Sequence, residues 1–477
     1  MSAIQDSEVK SNDVQPESFR DRLATVDAKG KRKWVFAQKP KGKFYNVRTL
    51  VSLGFFALFL TLPFVRVNGR PFLLFNIPEA KFILFGKVFW PQDFFILGVT
   101  MITFIVFIVL FTAAFGRLFC GWVCPQTVFM EMLFRKVEYL IEGDAAKQKM
   151  RKNSPWTTEK IRVKLTKHVV FFALAFIIAN YFLAYVIGTD ALLKIVREPV
   201  SEHAAGLASI LIFSGVFYGV YAYFREQSCT VVCPYGRLQS VLLDRNSMIV
   251  AYDYKRGEPR GKFKKNQPKN DLGDCIDCFQ CVKVCPTGID IRNGTQMECV
   301  GCTACIDACD TMMDATGRAR GLVRYASENG IAEGKKLSYT GRMKFYTVVL
   351  IILASLLTFL LATRKNVDGT IVRAPGMLYQ EHGKDSISNL YTIKIINKTL
   401  KDIPLTLKLL NAPGQIIEAE GRSIEVKKEG QGKGSFFIVL PNNFVTSRKL
   451  SVKVGLYQGA EQITVLQTNF MGPFSKF

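Results

Sequence analysis

The chain has 477 residues, 49% of them hydrophobic and 38 of them phenylalanine, and its 63 Lys and Arg outnumber 39 Asp and Glu for a formal net charge of +24. That length exceeds one typical domain. The basic balance does not point to nucleic acid: the densest run, YKRGEPRGKFKKNQPK (254–269), has only Tyr254 and Phe263 as aromatics and belongs to no recognisable nucleic-acid fold.

Residues 1–48 form a polar, basic segment, of which 1–30 read as disordered. Five apolar runs follow, each close to the ~20 residues a helix needs to cross a bilayer. They are 49–65 (TLVSLGFFALFLTLPFV), 94–115, 168–188, 205–224 and 344–363. The second, FFILGVTMITFIVFIVLFTAAF, carries no charge, and Pro63 in the first is tolerated in a membrane helix. Five such runs argue against buried helices of a soluble protein. The first starts too far along to be a cleaved signal peptide, whose charged part is short and terminal. Residues 49–248 thus read as a membrane core of four spans, with 66–91 as an external β-hairpin and Trp90 and Trp122 at membrane interfaces.

Lys and Arg in the loops set the expected orientation. Residues 1–48, 116–167 and 225–344 hold 11, 11 and 19 of them, whereas 66–91 and 189–204 hold 4 and 2. The N-terminus is therefore expected in the cytoplasm of a bacterial inner membrane, and 364–477 in the periplasm. The excess charge meets anionic lipid headgroups.

Spans two and four are each followed by the same signature, GRLFCGWVCPQ (116–126) and REQSCTVVCPYG (225–236). Each gives Cys-x3-Cys-Pro: Cys120, Cys124, Pro125, and Cys229, Cys233, Pro234. An i, i+4 pair lies on one helix face, and the proline then bends or stops the helix. The repeat suggests an internal duplication that brings the four thiols together near the segment that follows. Four packing cysteines, a soft Cu(I) site or redox dithiol, and a third cluster or zinc site are the alternatives. Cys120, Cys124, Cys229 and Cys233 are therefore candidate metal-binding or redox-active residues.

Residues 249–343 contain Cys275-x2-Cys278-x2-Cys281-x3-Cys285-Pro286 and Cys299-x2-Cys302-x2-Cys305-x3-Cys309. This is the spacing of a bacterial two-cluster ferredoxin. Three cysteines at x2 spacing wrap one [4Fe–4S] cube, and the fourth is too distant to close it. Cys275, Cys278, Cys281 and Cys309 are expected on cluster 1, and Cys299, Cys302, Cys305 and Cys285 on cluster 2. Zinc is the rival metal, but zinc sites use two pairs, and disulfides are not expected on a reducing face. Asp310 follows Cys309 where a proline follows Cys285. Its carboxylate would lower the potential of the adjacent cluster or hydrogen-bond locally, and the sequence leaves both open.

Past the fifth span, 364–477 alternates with period two (YTIKIINKT, PLTLKLLN, GQIIEAEG, SFFIVL, KLSVKVGLY, ITVLQTNF) between turn residues. About seven strands in this length suggest an immunoglobulin-like sandwich without its disulfide. Met377, His382 and Met471 could ligate copper there, although packing or surface roles suit them better. The three histidines, His168, His203 and His382, offer no pair for a haem, and His203 has no obvious partner. No GxGxxG follows a strand, so electrons are expected from another protein or from quinol.

These residues resemble the family of the cytochrome c oxidase accessory protein CcoG, also called FixG or RdxA. The likeness covers nearly all of the chain after residue 40: FWPQDF (89–94), CGWVCPQTVFMEMLFRKVEYLIEGD, CTVVCPYGRLQSVLLDRNS, the twin cysteine blocks, GLVRY (321–325) and RAPGMLYQ…ISNLYTIKIINKT (373–399). The resemblance implies a multi-domain membrane protein: a five-helix transmembrane bundle, a cytoplasmic 2[4Fe–4S] ferredoxin domain and a periplasmic immunoglobulin-like β-sandwich. It also implies reduction of Cu(II) to Cu(I) for assembly of a cbb3-type cytochrome oxidase, with copper as substrate or transient ligand. An electron-transfer subunit fed by quinol and a non-catalytic assembly scaffold are the rival readings. Expected partners are membrane lipid, copper chaperones, cbb3-type oxidase assembly factors and an electron donor the sequence does not identify. A homodimer is allowed, and no nucleic acid is expected.

Overall fold

The computed structural model describes residues 24–26, 29–77, 80–262, 272–336, 338–376, 378–383, 385–399, 401–418 and 424–473. The disorder expected over 1–30 and the copper candidate Met377 fall wholly or mostly outside them. The chain forms two compact units, one of residues 1–79 and 97–355, the other of 80–96 and 356–477. Among the described residues, five helices are long and apolar enough to span a bilayer: Lys43–Phe64, Phe94–Phe115, Thr158–Ile187, Val200–Phe224 and Gly341–Ala362. The protein is a multi-pass membrane protein.

The third span starts ten residues before its apolar run, at Thr158, because the preceding Thr157 side chain caps it by accepting from Lys160 N (3.3 Å). It ends at Gly188, whose φ of 88° any other residue would resist. Hydropathy alone therefore marks the part in lipid, not the helix. The fourth span widens its last turn over Val220–Phe224, and Arg225 then turns the chain at φ 50°. A non-glycine residue held there is under strain. It is pinned by its own buried guanidinium, which donates to Glu138 at 2.6 Å. Glu138 also pairs with Lys167 (3.2 Å), and Arg135 lies between Glu131 (3.4 Å) and Glu226 (3.9 Å). Burial works to raise the Glu138 carboxyl, but Arg225, Lys167 and Arg135 hold it below the usual carboxylate range. The aromatic core of this unit gathers on Phe129, which meets Phe55, Phe59, Phe217 and Tyr221.

In place of the single hairpin expected over 66–91, two short ones form. Arg66–Val67 pairs with Arg70–Pro71, and Lys81–Leu84 pairs with Lys87–Phe89. In the second unit Asp93 accepts from Lys398 (2.7 Å) and from Arg364.

The C-terminal domain has eight principal strands: β1 (Val367–Arg373), β2 (Ser386–Asn397), β3 (Ile403–Leu409), β4 (Gln415–Glu418), β5 (Ile424–Val426), β6 (Gln431–Pro441), β7 (Lys449–Gln458) and β8 (Glu461–Met471). One sheet runs β4-β6-β2-β1 and the other β5-β3-β7-β8, with every described pairing antiparallel. Alternate residues of β2 (Tyr391, Ile393, Ile395) and β6 (Phe436, Ile438, Leu440) face Leu405, Val454 and Leu456 in a closed core. The period-two pattern fixes this choice of face. Tyr391 donates its hydroxyl to Asn469 O of the opposite sheet (2.9 Å). His382 is exposed and Met471 ends β8.

Candidate metal centres

The eight cysteines of the twin blocks fold into two cages. Cys275, Cys278, Cys281 and Cys309 line one cavity; Cys285, Cys299, Cys302 and Cys305 line the other, whose wall Cys281 also touches. This is the crossed arrangement that the spacing implies. The local cause repeats in both loops. The middle cysteine is flanked by left-handed residues, Asp277 (φ 55°) and Phe279 (φ 58°) around Cys278, Gly301 (φ 68°) and Thr303 (φ 64°) around Cys302. Such alternation curls backbone N–H groups into a concavity suited to an anionic metal–sulfur group. A helix then starts, Gln280–Lys283 or Ala304–Ala315, and carries the third cysteine inward.

Arg292 braces the first loop, donating to Asp277 (2.5 Å) and Asp290 (2.6 Å) with its guanidinium over Phe279. The surrounding walls are apolar, with Ile289, Ile291, Met313, Leu322 and Val323 buried. Burial first, then neighbouring thiols or carboxylates, pushes Cys281, Cys302 and Cys309 up to about 12. Among the causes at Cys309 is Asp310. Asp310 also hydrogen-bonds locally, accepting from Gly321 N at 2.9 Å.

The two Cys-x3-Cys-Pro motifs depart from the one-face reading. Helix Leu118–Trp122 carries Cys120 but stops at Val123, and Cys124 is extended (φ −57°, ψ 124°). Cys233 is likewise extended (φ −68°, ψ 112°). A residue before proline is pushed out of the helical region, so each proline opens the next helix rather than ending the last. The four thiols nevertheless converge. Burial pushes Cys120 and Cys229 up to about 12, and among the lesser causes each feels Cys124 and Cys233.

This thiol group lies directly on the second cage. Cys120 and Cys229 pack against Val284, Val300, Cys302 and Ala304. Gly121 and Gly301 meet backbone to backbone, and a Cβ on Gly121 would fall 2.6 Å from Gly301 O. Arg117 spans the seam, donating to Gly236 O (2.5 Å) beside the second motif and to Cys299 O (3.3 Å) in the cage. Arg48 of the first span donates to Gly121 O (2.6 Å). Asp307 of the cage helix accepts from Phe44 N (3.0 Å) and Tyr45 N (2.7 Å), capping the first span. Sequence reasoning missed Arg48, Arg117, Gln239 and Asp307, since no spacing rule links a membrane helix to a cluster loop. Gly121, next to Cys120 in the motif, was the one signal in view. Trp122, expected at a membrane interface, donates to Tyr325 OH of the ferredoxin segment (3.1 Å).

His203 does have a partner: its Nε2 lies 2.5 Å from Glu198 Oε2. With Glu202 these form the only close group of three metal-ligating side chains among the described residues. Glu198 and His203 also line a cavity of about 1100 Å³ with Phe55, Phe59, Phe129 and Pro125.

Three family profiles match the chain: a 4Fe-4S dicluster domain over 224–328, a 4Fe-4S binding domain over 97–148, and an IG-like fold at the C-terminal of FixG over 357–473. Protein RdxB of Cereibacter sphaeroides is 33% identical over 385 residues, 77% of this chain and 80% of RdxB. The chain belongs to the FixG/RdxA family. Protein RdxA of the same organism is 31% identical over 425 residues, 85% of this chain and 89% of RdxA. Nitrogen fixation protein FixG of Rhizobium meliloti is 33% identical over 326 residues, 65% of this chain and 60% of FixG's own length. As a FixG/RdxA protein the chain is a membrane iron–sulfur redox protein with a ferredoxin-type segment and an immunoglobulin-like C-terminal domain.

Proposed function

We propose that this FixG/RdxA protein is a membrane-bound cupric reductase, producing Cu(I) for assembly of a cbb3-type cytochrome c oxidase. The observation that carries this reading is the packing of Cys120 and Cys229 on Val300 and Cys302. It joins the cages to a thiol group in the membrane core with no solvent layer between. Cys275, Cys278, Cys281 and Cys309 would hold one [4Fe–4S] cluster, and Cys285, Cys299, Cys302 and Cys305 the other. Bound clusters supply single-electron storage, which suits the one-electron change from Cu(II) to Cu(I). The apolar walls exclude water from the cages. Cys120, Cys124, Cys229 and Cys233 form the exit through which electrons leave for copper. The Lys and Arg asymmetry of the loops supports cages in the cytoplasm and the immunoglobulin-like domain in the periplasm. Copper chaperones and oxidase assembly factors are the partners this reading implies.

The test is anaerobic. The protein is reduced, excess reductant is removed, and Cu(II) is added with a Cu(I)-specific chelator. Cluster absorbance should recover in step with Cu(I). Clusters that stay reduced would refute the reading.

A second reading, an electron-transfer subunit fed by quinol, is favoured by the aromatic-walled cavity, whose lining joins the Glu198–His203 pair to Pro125, next to Cys124. A quinol analogue that reduces the clusters, in protein that never reduces Cu(II), would select it.

A further inference from the structure

We infer that Cys120, Cys124, Cys229 and Cys233 hold a third [4Fe–4S] cluster, set against the second ferredoxin cage, rather than a single copper or zinc ion. The inference is independent of what accepts the electrons.

Four observations carry it. First, the four thiols come from two copies of one motif and converge, so they supply the four ligands of one cube. The chain's twelve cysteines then fill three four-ligand sites with none left over. Second, the 4Fe-4S binding profile over 97–148 covers only Cys120 and Cys124, half of a ligand set, while the dicluster profile over 224–328 covers ten cysteines, two more than two clusters need. The surplus pair, Cys229 and Cys233, completes the deficient one.

Third, the spacing is wrong for one ion. Tetrahedral thiolates at ~2.3 Å from zinc stand about 3.8 Å apart. Among the described residues only Glu198, Glu202 and His203 bring three ligating atoms within 4.8 Å of one another. No three of these thiols do so, and neither do three from either ferredoxin cage. A cube spreads its thiolates over four separate irons and takes the wider spacing.

Fourth, buried polar groups around the thiols lack acceptors. Gln239 is fully buried; its Oε1 accepts from Cys120 Sγ (3.0 Å), and its Nε2 has no partner. An amide's two ends are interchangeable, so turning Gln239 over would aim an N–H at a Cys120 thiolate. Thr127, buried beside Cys229, hydrogen-bonds that thiol in a way that favours its thiolate, and Arg48 Nη2, on the residue that binds Gly121 O, is buried without a partner. Bound thiolates and inorganic sulfides are the acceptors that Gln239 Nε2 and Arg48 Nη2 lack, and such hydrogen bonds tune cluster potential. Assembly is balanced: four thiols release four protons, and a [Fe4S4] core of charge +2 leaves the loaded site at −2. Reduction adds one electron to that core.

The test is a count made without copper. The full-length protein, reconstituted anaerobically with iron and sulfide in detergent, should hold about twelve irons and twelve labile sulfides per chain. Cys120→Ser and Cys229→Ser should each lower both to about eight, and the double variant should lose no more. The reduced ferredoxin clusters should keep their paramagnetic resonance signals. Gln239→Leu should keep all the iron and change the signal or potential of one cluster of three. About eight irons in the wild type, or one copper or zinc on these thiols, would overturn the inference. Should the cysteine variants lose every cluster by misfolding, the wild-type count and the Gln239→Leu spectrum still decide it.

Discussion

Asp307 gives the most direct measure of what fastens the cages to the membrane helices. Its carboxylate is 5% exposed and accepts from two first-turn amides of the first span, Phe44 N at 3.0 Å and Tyr45 N at 2.7 Å. Asp307→Ala leaves both amides without an acceptor in a site closed to water. Charge-assisted bonds are worth about 1.5–3 kcal/mol each, and a buried donor left alone forfeits its desolvation. The carboxylate also faces the positive end of a helix, worth roughly another 0.3–1 kcal/mol. Because the two bonds share one group their losses do not add, and a total of about 2–4 kcal/mol is expected. Asp307→Asn keeps one acceptor oxygen and should lose about half of that. Asp307 lines neither cage, so both variants should retain full iron after mild purification. The assay is denaturant- or heat-driven release of the clusters in detergent, followed by their absorbance. An alanine variant as stable as the wild type would refute the anchoring role. One that loses iron before denaturant is added would show that Asp307 serves the cage itself.

The seam should be equally sensitive to one methyl group. Gly121→Ala puts a Cβ within 2.6 Å of Gly301 O and 2.8 Å of Val300 O, backbone atoms that cannot swing aside. It should cost about 1–3 kcal/mol and slow electron exit from the ferredoxin clusters while leaving their iron in place, which stopped-flow reoxidation would read. An unchanged rate would mean that electrons leave elsewhere. The crossed cages predict that Cys309→Ser perturbs the cluster of the first block and Cys285→Ser that of the second, distinguishable by paramagnetic resonance; the reverse assignment would refute the crossing. In protein stripped of iron, thiols raised from 9.0 to about 12 are held neutral by the fold. Their stabilisation is full below pH 9 and is lost as pH rises toward 12. Denaturation midpoints of the stripped protein should fall over that window, whereas the loaded protein, its thiolates already deprotonated, should change far less.

Most of the architecture was legible because its signals are local. Five apolar runs mark five spans, since lipid leaves a backbone no other partner. The period-two alternation of 391–396 and 436–440 fixes the sandwich faces, and Cys-x2-Cys-x2-Cys spacing fixes which cysteines share a cage. Helix limits were less legible. The third span runs on through a polar stretch capped by Thr157, where hydropathy is silent. The i, i+4 reading of Cys120 and Cys124 failed for a reason also in the sequence: Pro125 forbids helix at Cys124.

What spacing does not reveal is the seam, because its contacts join residues 73 to 263 positions apart. Arg48 reaches Gly121, Arg117 reaches Cys299, and Asp307 reaches Phe44. Each is a charged side chain turned onto backbone groups, and each is unremarkable in its own stretch of sequence. Their common effect is to hold Gly121 against Gly301. A larger residue at either glycine would open a gap between the membrane thiols and the second cage. Charged groups placed here add positive potential beside Cys302 and Cys120: Arg48 works to lower the first thiol and Arg117 the second, against burial. The two arginines that help fasten the parts together therefore also favour negative charge at the junction. An electron passing between the ferredoxin cage and the membrane thiols must cross that junction, so a charge-removing change at Arg117 should alter redox potential as well as stability. A purely structural clamp would alter stability alone.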